Sequence, residues 1–158
     1  MVRRALALML ALAAIAVPVT AAGAQEQTKR EVVARSGEIC QHARAAMAKH
    51  IRRAARALRR RGWNAYARHG RRYARIGIRH VRRLRKLRPP ASRFHYKRFV
   101  ARSRSALGWI ELAMDAYDEE RFKLGYKRER RAEGHRERAK RSAREYGLRR
   151  ACVRFLEV

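Results

Sequence analysis

"RRYARIGIRHVRRLRKLRPP", residues 71–90, holds nine arginines and lysines and no acidic residue. Read as bare composition it is a charge run, but its spacing sorts it into two faces. Tyr73, Gly77, Val81 and Leu84 recur every three or four residues, and Tyr66 and Gly70 extend the same row upstream. That period is helical and describes one side turned to a core. Arg71, Arg75, Arg79 and Arg83 stand four apart opposite that row, with Arg68, Arg72, Arg82 and Lys86 beside them. The stretch therefore predicts an amphipathic helix from about residue 65 to residue 87. Pro89-Pro90 stops it, because proline lacks the backbone donor and restricts the residue before it.

Working upstream, Thr28-Lys29-Arg30-Glu31 fits a capping box and predicts the start of a first helix. Val33, Ser36, Cys40, Ala43, Met47, Ile51, Ala54 and Leu58 fall on its inner side. Lys49, Arg52, Arg56, Arg59 and Arg60 fall on its outer side. Gly62-Trp63-Asn64 predicts the break, with Asn64 capping the second helix; one uninterrupted helix is the competing reading. Downstream, Ser92 is placed to cap a third helix whose inner face is Tyr96, Phe99, Ser103, Ala106, Ile110, Ala113 and Tyr117. Asp118 is placed to cap a fourth, ended by Gly147. The fourth helix has only a narrow stripe, Gly125, Ala132, Ala139 and Tyr146, with Ala143 beside it. The tail from Leu148 reads as irregular. No alternating strand pattern competes, so the fold class is all-α, an up-down bundle of about four helices.

The first 24 residues read as a secretory signal peptide. A basic MVRR precedes the apolar run Ala5–Val17, then Pro18 and an A-x-A cleavage site ending at Ala24. Such a run is short for a membrane span, which needs roughly 20 residues. Residues 25–158 then form one domain, secreted or extracytoplasmic. In an exported chain two cysteines most simply pair. An up-down-up-down bundle brings the start of helix one and the end of helix four to the same end, so Cys40 and Cys152 are expected to bond. A reactive thiol, a metal site or a haem attachment are the alternatives; no C-x-x-C-H is present.

Ile39-Cys40, the LRKLRPP of Leu84–Pro90, Ala116-Tyr117-Asp118 and the closing AREYGLRRAC of Ala143–Cys152 form a pattern over nearly the whole mature chain. It resembles a group of small secreted helical proteins of high-GC Gram-positive bacteria. The resemblance implies a disulfide-closed helical bundle and brings no catalytic residues. The closing cysteine comes one residue later than in the usual pattern, and this chain is unusually basic.

Charge is the strongest functional signal. The chain has 42 basic and 13 acidic residues, and no carboxylate occurs between Glu38 and Glu111. Genomic base composition explains arginine in place of lysine, but not a stretch of that length without an acid. The sequence therefore predicts an anion-binding face made by Arg52, Arg56, Arg59 and Arg60 of helix one with Arg68, Arg71, Arg72, Arg75, Arg79, Arg82, Arg83 and Lys86 of helix two. Its expected partners are an anionic cell-envelope polymer, an anionic lipid surface or extracellular nucleic acid, held non-specifically through counterion release. A face that is only solubilising is the alternative. No base-reading motif points to sequence-specific DNA binding. Glu111, Asp115 and Asp118 share a helix face, where they are expected to offset basic charge. The six histidines include no H-E-x-x-H or E-x-x-H pair, and no nucleophile elbow or phosphate loop occurs. The reading is of a non-enzyme without a cofactor.

Overall fold

A computed structural model describes residues 27–90 and 93–157; the signal-peptide reading and the Ser92 cap lie outside them. Four long helices follow one another: α1 (Lys29–Arg59), α2 (Trp63–Arg85), α3 (Phe94–Asp118) and α4 (Phe122–Tyr146). A short α5 (Arg150–Val153) follows. Among the described residues there is no strand. Each long helix packs antiparallel on the next, giving the up-down bundle expected.

The helix starts differ from expectation at two of the turns. The capping box at Thr28 and Glu31 forms as read. At the first turn the chain reverses through Arg61, which adopts a left-handed φ of 55°. Gly62 takes the cap position and Asn64 lies inside α2. Trp63 drives this shift: its ring stacks on Tyr117 at 5.6 Å and packs on Phe122 at 4.9 Å, which places it within the helix rather than in a loop. At the other turn Asp118 ends α3, and Arg121 precedes α4. Asp118 is held instead by Arg71 at 2.9 Å. Gly147 ends α4 with φ 84°, a conformation glycine adopts without penalty.

The inner faces pack largely as the periodicity specifies. Met47, Leu84 and Phe99 are fully buried, and so is Leu107, which the α3 row read from sequence did not include. Leu58, read as part of the inner row, is exposed near the end of α1. Tyr96 ties three helices: Ser36 Oγ donates to its hydroxyl at 3.4 Å, and that hydroxyl donates to Leu84 O at 2.8 Å. At the opposite end, the Tyr66 and Tyr117 hydroxyls both donate to the Glu129 carboxylate, at 2.5 and 2.7 Å. Burial and this acceptance of both protons hold the two phenols above the ordinary tyrosine range.

The C-terminal tail overturns the expectation of irregular chain. The backbones of α1 and α4 make no contact with each other; α5 packs against both and joins them. The reason is the poverty of α4, whose small-residue stripe is used up on α3: a Cβ on Gly125 would meet the Tyr117 ring at 2.6 Å. Leu148, Cys152, Phe155 and Leu156 supply the missing apolar side, all buried. Their spacing of four, three and one is itself a helical inner row. Tyr73 Oη donates to Leu156 O at 3.2 Å, fastening the tail to α2. Cys40 and Cys152 form the disulfide across this seam, with Cα atoms 5.1 Å apart.

Candidate anion-binding surface

Arginines on α1 and α2 reach their positions by elementary helix geometry. An apolar row every three or four residues turns inward, so residues between its members are left outside. Arg52, Arg56 and Arg59 of α1 and Arg60 just past its end are all exposed. Arg68, Arg72, Arg79, Arg82 and Arg83 of α2 and Lys86 just past its end are exposed as well. Among the described residues none of these ten cations makes an ion pair.

The four-spaced ridge of α2 does not remain one ridge. Arg71 donates to Asp115 at 3.2 Å and to Asp118 at 2.9 Å, and Arg75 donates to Glu111 at 2.9 Å. Two predicted ligand-binding arginines are therefore engaged by the acidic trio of α3. The cause is the antiparallel register of α2 on α3. A Cβ on Gly70 would strike Met114 and one on Gly77 would strike Leu107, so each step along α2 runs backwards along α3. Arg71 and Arg75 therefore face the acidic end of α3. Arg79 and Arg83 face its first half, which has no carboxylate. Four residues also advance a helix by roughly 400°, so the row rotates about 40° per step. By Arg79 and Arg83 it has turned further from where it began.

Arg53, Arg56, Arg60, Arg68 and Arg72 gather along the α1–α2 seam. His50 of α1 and His69 of α2 face each other there with ring centroids 5.9 Å apart. His50 is buried and His69 half-buried, and among the described residues neither Nδ1 finds a hydrogen-bond partner. Both imidazoles are held below the ordinary histidine range. Burial is the largest cause for each; then Lys49, His69, Arg72 and Arg53 act on His50, and Arg53, Arg72, Arg68 and Arg56 act on His69. Among the described residues no carboxylate is among these causes. A shallow cleft of about 380 Å³ lies on it, with Arg53, Arg56, Arg60 and His69 in its walls.

Arg53 was absent from the face read from sequence, although its three- and seven-residue spacing to Arg56 and Arg60 places all three on one edge of α1. Of the aromatic side chains expected in the core, Tyr73, Phe99 and Tyr117 are buried, whereas Tyr66 is half-buried. No helix among the described residues is long and apolar enough to cross a membrane. Comparison with protein-family models, with curated proteins and with solved structures finds no match, so the reading rests on this geometry.

Proposed function

We propose that this protein is a non-catalytic, extracytoplasmic helical bundle that holds anionic polymers electrostatically through the outer face of α1 and α2. One observation carries the reading: five arginines and two histidines crowd the α1–α2 seam, and among the described residues no carboxylate pairs with those arginines. Like charges at this density are tolerated in a helix rather than favoured, and a polyanion relieves them. Arginine suits phosphate and sulfate because its planar fork binds two oxygens at once. The bonded cysteine pair fits an oxidising compartment. Wall polymers, anionic lipid head groups and extracellular nucleic acid are the matching partners. A second reading, charge for solubility alone, draws on the pairing of Arg71 and Arg75 with α3, since those arginines serve the fold.

Retention on teichoic acid, heparin and duplex DNA, followed against salt, separates the two. Changing Arg52, Arg56, Arg59 and Arg60 together to Gln is expected to lower the eluting salt on every polymer. On duplex DNA the log–log salt slope should fall by about 0.9 for each phosphate that the variant no longer neutralises. Changing Arg71 and Arg75 to Gln should leave retention nearly unchanged. Equal retention of the α1 variant and the parent would overturn the proposal.

A further inference from the structure

A cavity of about 820 Å³ lies away from the α1–α2 seam, between the last turns of α2 and the first turns of α3. The connection there, residues 86–93, is longer than the tight turns at 60–62 and 119–121. Its inner lining is apolar: Val81, Tyr96 and Val100 are buried and Leu87 half-buried. Tyr96 offers its ring rather than its hydroxyl, which is committed to Leu84 O. Beside Arg88, five more exposed cations stand around the lining, namely Arg82, Arg85, Arg93, Lys97 and Arg104. Among the described residues none of these five forms an ion pair, and no carboxylate lines the groove.

We infer that this groove binds the monomer of a single-chain anionic amphiphile, a long-chain fatty carboxylate. Charge complementarity selects that occupant. A hydrated polymer gains nothing from an apolar floor, and a neutral hydrocarbon gains nothing from five cations. An alkyl carboxylate uses both at once, its chain along Val81, Leu87 and Val100 and its head among the arginines and Lys97. The volume is that of an ordinary small-molecule site, roughly 300–1,000 Å³. The groove walls come from the carboxylate-free part of the chain, so no acid repels the head group.

The test is calorimetric titration of the mature, disulfide-bonded protein with octanoate, decanoate and dodecanoate below their micellar concentrations. Saturable one-to-one binding is expected, tightening about fourfold per added methylene, which is roughly 0.8 kcal/mol converted to affinity. Ala101→Trp puts a large ring into the groove from an exposed position and should weaken dodecanoate about tenfold. Arg85→Gln with Arg104→Gln, both on the exposed rim, should weaken it about threefold or more. Dodecyltrimethylammonium should not bind. The α1 variant lacking Arg52, Arg56, Arg59 and Arg60 should bind dodecanoate like the parent, so this inference stands or falls apart from polymer retention. Affinity independent of chain length, equal binding of the ammonium amphiphile, or an unaffected Ala101→Trp variant would overturn it. So would binding that appears only with micelles or vesicles.

Discussion

Single residues show how closely this bundle is packed. Gly125 and Gly108 both lie inside long helices, yet their surroundings are opposite. A Cβ at Gly125 would sit 2.6 Å from the Tyr117 ring, which Glu129 holds in place, whereas a Cβ at Gly108 would meet nothing within 4 Å. Gly125→Ala is expected to cost up to about 2 kcal/mol net, since overpacking of about 1–3 kcal/mol outweighs the helix-propensity gain of about 1. Gly108→Ala should instead stabilise by about 0.5–1 kcal/mol. Urea midpoints of the two variants test the pair, and a shared sign would contradict the packing described. The histidines of the seam make a pH prediction. In the unfolded chain they titrate near about 6.5, whereas in the fold burial and the nearby arginines hold them lower. Below that pH the unfolded state binds more protons, so the stability they contribute is complete above about 6.5 and is lost as pH falls. His50→Gln with His69→Gln should flatten the decline in urea midpoint between about pH 7 and about pH 5. An unchanged slope would mean the imidazoles are already free of the arginine field.

Among the elements, legibility followed the size of the apolar side chains. The inner rows of α1, α2 and α3 carry Met47, Leu84 and Phe99, and their period was readable because large residues mark a face clearly. The fourth row was readable only as a stripe of small residues, and what it lacked was supplied by the tail. Leu148, Cys152, Phe155 and Leu156 have the right spacing, but a single helical turn leaves too few residues for periodicity to stand out. Turn chemistry misled in a similar way. Asn64 and Asp118 are good cap residues by type, yet Trp63 gains more by packing on Tyr117, and Asp118 gains more by pairing with Arg71. The predicted anion face was legible as a set of exposed positions on α1. On α2 it was legible only in part, because Arg71 and Arg75 look identical to Arg79 and Arg83 until α3 is laid beside them.

For the molecule as a whole, the disulfide closes a loop that holds most of the described chain, its two cysteines 112 residues apart in sequence. Removing it by Cys40→Ser with Cys152→Ser should cost about 4–5 kcal/mol on the chain-entropy argument. The loss should appear first as faster amide exchange in 150–157, since α5 is what joins α1 to α4. Uniform loss across all helices would show that the bond restrains only the unfolded chain. Helical class, the pairing of the two cysteines and the long run without a carboxylate follow from residue order alone. Each of these is a matter of local period, residue type or composition. Which arginines stay open, that the tail completes the core, and that a cation-rimmed apolar groove forms where α2 and α3 meet are settled only when the helices pack. Those depend on the register between helices, and register is set by how distant side chains such as Gly70 and Met114 fit together. No single helix carries that information along its own length.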